Sequence, residues 1–177
     1  MAAPPDTRVG HPPGRGKREA AGTHYDRALA LNPNYVWTYC AKGFFLTISG
    51  RLEEGIACDT YALRQNPLMP NPCLYSTGFA HFSAKRYGEA LANLGKMSNT
   101  PIEIQGFIAA YYAQPGRDGE ASAAAAESLD RAETEFAVHP GDDVELWQGH
   151  LIRLMSLDDP FGREHLFSSL RKANLPL

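Results

Sequence analysis

The sequence has little cysteine, and what it has is not spaced for cross-linking. Three cysteines, Cys40, Cys58 and Cys73, stand among 177 residues. An odd count with no C-x-x-C pair reads as buried or partly buried thiols in a reducing compartment, not as disulfides or a thiolate metal site. Long hydrophobic runs are missing as well. No stretch approaches the roughly 18 apolar residues of a membrane span. The N-terminus has no apolar h-region, so no secretory signal is read there, and a cytoplasmic location is the default expectation. There is no excess of positive charge. A net charge of −3 gives no electrostatic footing for nucleic acid.

Signatures of catalysis and metal binding are also absent. The histidines, His11, His24, His81, His139, His150 and His165, never fall three or four apart. No helix face therefore offers two imidazoles to a metal. Ser168-Ser169 lies in a helical pattern without the glycine elbow that strains a nucleophile. Cys58-Asp59 has no histidine beside it. Gly14-Arg15-Gly16-Lys17-Arg18 superficially suggests a phosphate loop, but that pattern needs Gly where His11 stands and Ser or Thr where Arg18 stands. The expectation is a chain with no catalytic, cofactor-binding or metal-binding residues.

What the sequence does have is helix-spaced apolar residues, broken repeatedly by proline and glycine. Hydrophobic residues make up 44% and charged residues 21%, which suits a globular fold. Residues 1–17, rich in Pro and Gly, predict a disordered leader. Helices follow over 18–31, 34–48, 52–63, 71–83, 86–97, 102–113 and about 119–138. The Ala-rich run from Ala121 to Ala126 gives the last of these strong helix propensity. Asp142 and Asp143 cap a helix over about 144–157, and Asp158-Asp159-Pro160 starts another over 161–173. The fold class is all-α.

The spacing of the breaks says more. Pro33 and Pro67 are 34 residues apart, and Gly43, Gly50 and Ala62 lie between them. Each matches its place in a helix–turn–helix unit: a small residue inside the first helix, a turn glycine, a small residue late in the second helix, and a closing proline. The stretch resembles a tetratricopeptide repeat, whose period is 34 residues. Gly78, Ala90 and Pro101 repeat the pattern more loosely. The resemblance implies a right-handed superhelix of antiparallel helix pairs, because one pair cannot bury its apolar surface alone. Repeats span 18–140 on this reading, and 141–177 form a helical extension that caps the array. The first repeat is half missing: 18–31 match a second helix, but prolines forbid its partner over residues 2–15. A fragment of a longer protein is the favoured explanation, with a capping leader as the other.

The C-terminal sequence carries a resemblance of its own. Asp159-Pro160, Glu164-His165-Leu166 and Leu170-Arg171-Lys172-Ala173-Asn174-Leu175-Pro176 look like the closing segment of rhizobial-type class III adenylate/guanylate cyclase-like proteins, whose C-terminal half is tetratricopeptide repeats. The usual ending there has Gly where Asn174 stands. Similar C-terminal halves follow winged-helix regulators. Any cyclase domain would lie upstream, so no catalytic residue carries over.

In such arrays the first helix of each pair lines the concave groove. By repeat position Trp37, Cys40, Phe44, Thr47, Tyr75, Phe79 and Phe82 face it. They are either an aromatic groove for a protein or peptide ligand or simply core, with Trp37 and Phe79 leaning to the groove and Phe44 to the core. Repeats that grip acidic chaperone tails use Lys and Asn at these places, so that clamp is disfavoured. The expected function is a non-catalytic interaction module binding no nucleic acid and no membrane. It would be the sensory half of a cyclase-like signalling protein, the effector region of a winged-helix regulator, or, least favoured, an enzyme.

Overall fold

The computed structural model describes residues 15–98, 100, 102–136 and 160–175. All eight elements among them are helices: α1 (Arg15–Leu31), α2 (Val36–Ile48), α3 (Leu52–Gln65), α4 (Asn71–Ser83), α5 (Tyr87–Leu94), α6 (Ile102–Ala113), α7 (Asp118–Phe136) and α8 (Pro160–Lys172). Among the described residues there is no strand. The expected helix over 144–157 lies outside the described residues.

Pairing follows chain order. α2 packs on α3, α4 on α5 and α6 on α7, while α2 also meets α4, and α8 packs on α6. These are antiparallel helix pairs stacked into a superhelix, as the repeat spacing implies. Helix ends moved by a few residues from expectation. α1 begins at Arg15 rather than Arg18, since no proline lies between Pro13 and Pro33 and Arg15 and Lys17 are good helix formers. α2 begins at Val36 because a turn closes from the Tyr35 amide to the Asn32 carbonyl at 3.2 Å. α5 stops at Leu94, with Gly95 as its cap.

The C-terminal ends of α2, α4, α6 and α8 share one geometry. Gly50 (φ 79°) ends α2, with its amide bonded to Thr47 and the Arg51 amide to Leu46. This is the paired bonding of a Schellman end, which needs a left-handed residue. Gly116 (φ 78°) does the same after α6, while Lys85 (φ 60°) and Asn174 (φ 63°) take the position after α4 and α8.

Two glycines set the helix crossings. A Cβ on Gly43 would sit 2.7 Å from Asp59 Cγ on α3, and one on Gly78 would lie 2.9 Å from the Leu94 side chain on α5. Each first helix thus touches its partner where it has no side chain. The larger core gathers Phe79, Phe82, Leu94, Phe107, Tyr111, Leu166 and Leu170 from α4 to α8. A smaller one holds Cys40, Ala62, Met69, Cys73 and Leu74 under α2 and α4.

Candidate functional site: a cavity between consecutive first helices

The stripe Trp37–Cys40–Ala41–Phe44 recurs at three- and four-residue steps along α2, so it lies on one helix face. Pro72, Cys73, Tyr75 and Ser76 form the facing stripe of α4. Between them is an open cavity of about 290 Å³ lined by these eight residues. Its walls are almost wholly carbon and sulfur. Trp37 stands 45% exposed, a large aromatic left in water. Cys40 and Cys73 are buried in the cavity wall. Tyr75 stacks on Phe79 with centroids 6.3 Å apart, and burial pushes its hydroxyl pKa upward.

Polar chemistry sits just behind this wall. Asp59 on α3 is fully buried and accepts hydrogen bonds from Ser76 Oγ at 3.2 and 3.3 Å. Burial raises its pKa from 3.8 to about 8, against the opposing pull of the Ser76 hydrogen bond. Interaction between the neighbouring Cys40 and Cys73 thiols pushes the Cys40 pKa up and draws the Cys73 pKa down. Among the described residues, no cluster of three or more His, Cys, Asp or Glu is placed to hold a metal ion.

The cavity brings together Trp37, Cys40, Phe44 and Tyr75 from the seven groove residues expected by repeat position. The other three lie elsewhere. Thr47 is 4% exposed and donates its hydroxyl to the Gly43 carbonyl at 2.9 Å, on the face α2 turns to α3. Phe79 is 1% exposed and packs on Phe44 and Tyr75. Phe82, also 1% exposed, is stacked between Tyr111 (4.2 Å) and His165 (4.8 Å). Phe79, which leaned to the groove, is therefore core. The reason is the neighbouring helices: Phe44 on α2 packs on Phe79, and Tyr111 on α6 and His165 on α8 stack on Phe82. Repeat position assigns a face to each residue but does not say what covers it.

Sequence reasoning missed Ala41, Pro72, Cys73 and Ser76 as lining residues. Their signal was one helical turn from residues already chosen: Ala41 beside Trp37 and Phe44, and Pro72 and Ser76 beside Tyr75. The extra residue between Pro67 and Asn71 blurred the alignment of the third unit. Asp59 carried no signal, because its burial depends on Gly43 lying opposite.

Residues 24–57 match the family model of the tetratricopeptide repeat, one 34-residue period running from the second half of α1 into α3. Comparison with curated proteins finds no match. Among solved structures, the chain is similar to the crystal structure of MamA at a TM-score of 0.61 and 17% identity, over 90% of this chain and 88% of that one. At that identity the likeness speaks for the fold alone. The matched repeat and the shared fold together show a tetratricopeptide-like superhelix of antiparallel helix pairs.

Proposed function

We propose that this chain is a non-catalytic protein-interaction module that takes an apolar anchor residue of a peptide between α2 and α4. The observation that carries the reading is Trp37: a large, half-exposed aromatic at an apolar cavity on the first-helix face. Aromatics in such positions dominate binding energy where they meet a partner. At about 290 Å³ the cavity is at the small end of ligand sites, which run from roughly 300 Å³ upward. It suits one or two side chains better than a cofactor. None of its eight lining residues is charged, which speaks against an acidic tail as ligand.

The test is a peptide selection on the purified chain, repeated with Trp37→Ala. The reading expects peptides that share an apolar anchor. It expects Trp37→Ala to cost about 2 kcal/mol or more of binding with the melting temperature nearly unchanged. Early unfolding of Trp37→Ala would instead make Trp37 structural and overturn the reading.

The tail sequence supports a more specific setting. On the resemblance of residues 159–176, we place the module as the C-terminal half of a cyclase-like bacterial signalling protein, in the cytoplasm and binding neither nucleic acid nor membrane. The regulator alternative rests on the same segment. Among the described residues no helix is long and apolar enough to cross a membrane. The chain alone should make no cyclic nucleotide from ATP or GTP with magnesium or manganese. Turnover that survives repurification would contradict this setting, and the genomic sequence upstream separates a cyclase domain from a winged helix.

A further inference from the structure

Two thiols, one from each of two packed helices, stand where the cavity meets the core. Cys40 comes from α2 and Cys73 from α4, and both line the same cavity. They are 5% and 1% exposed, belong to one buried cluster, and are free. The third cysteine, Cys58, lies on α3, is half-buried and does not line the cavity. The cavity is open to solvent and lined by both thiols, so it offers a small reagent a way to the pair.

We propose that Cys40 and Cys73 form a peroxide-responsive dithiol site, which oxidises to an intramolecular disulfide joining α2 to α4. Of the two, Cys73 is the one whose pKa is drawn down by its neighbour, and the thiolate is the nucleophile. Hydrogen peroxide is a small enough oxidant for the cavity. The Cys73 thiolate attacks one peroxide oxygen, the O–O bond breaks, and hydroxide leaves, giving a sulfenic acid on Cys73. The Cys40 sulfur then attacks the Cys73 sulfur, the S–O bond breaks, and water leaves with the thiol proton. In sum, two thiols and one peroxide give one disulfide and two waters, and sulfur is oxidised as oxygen is reduced.

The site would tie together two consecutive first helices at the wall of the proposed binding cavity. It stands on the placement of the thiols and does not require that a peptide bind there. Cys58 serves as an internal control.

The experiment treats the folded chain with hydrogen peroxide, blocks remaining thiols with iodoacetamide after denaturation, and maps peptides without reduction. The expected result is a cross-linked pair of peptides carrying Cys40 and Cys73, with Cys58 alkylated. A higher melting temperature for the oxidised form, reversed by dithiothreitol, should accompany it. Cys40→Ser should leave Cys73 trapped as a sulfenic acid that dimedone labels in the folded protein. Two outcomes overturn the proposal: Cys40 and Cys73 both alkylated after treatment, or cross-links that run through Cys58 or between chains. Both are read on the wild-type protein, so poor folding of the serine variant leaves the test intact.

Discussion

Asp59 is the residue whose environment departs furthest from its chemistry. It is a carboxylic acid in a helix interface, fully buried against Gly43 and held by Ser76. With a folded pKa of about 8 against 3.8, the folded state binds the proton more tightly than the unfolded one. Its contribution to stability is then complete below about pH 4 and is lost as pH rises through about 8, at up to about 1.4 kcal/mol for each pH unit between those values. The melting temperature should fall between pH 5 and pH 9, and Asp59→Asn should flatten that slope. Equal slopes for both proteins would mean that Asp59 stays charged in the fold. A second residue strains the backbone openly. Lys85 takes a left-handed conformation that its counterpart Gly50 adopts freely. A side chain there costs about 1–2 kcal/mol, so Lys85→Gly should raise the urea midpoint. A lower midpoint would show that the Lys85 side chain contributes more than the strain costs. Neither residue was legible in the sequence. Asp59 reads as a solvated helix charge until Gly43 is seen opposite it, and Lys85 has no turn chemistry of its own.

The helix pairs were the most legible level, because proline and glycine mark their ends and the apolar spacing marks their middles. Gly43 and Gly78 illustrate this. Their 35-residue separation placed both inside first helices, and both prove to sit at crossings, against Asp59 and Leu94 respectively. Gly43→Leu and Gly78→Leu should each destabilise by about 1–3 kcal/mol, as overpacking a close contact does. Melting at the parent temperature would mean that the helices separate easily at these points. The site was only half legible at this level. The period places Trp37, Cys40, Phe44 and Tyr75 on the open stripe, but it places Phe79 and Phe82 there with equal force. What removes them is the third dimension: Phe44 packs on Phe79 from α2, and Tyr111 and His165 arrive on Phe82 from helices far along the chain.

On the scale of the whole molecule, the α4–α8 core and the smaller cluster under α2 divide the labour. Most of the large buried rings lie toward the C-terminal end. The apolar cavity lies between α2 and α4, where its lining residues Phe44 and Tyr75 pack against the larger core, Cys40 and Cys73 belong to the smaller one, and Trp37 stands half in water. Trp37 belongs to neither cluster of buried residues, so its side chain can be lost without loss of the fold. Chemical-shift mapping of a selected peptide against the isotopically labelled chain tests the central claim most directly. Our account predicts perturbations centred on the Trp37 indole and on Ala41, Phe44 and Tyr75, with the outward faces of α3 and α5 unmoved. Perturbations confined to α3, α5 or α7, with the Trp37 indole unshifted at saturation, would contradict it.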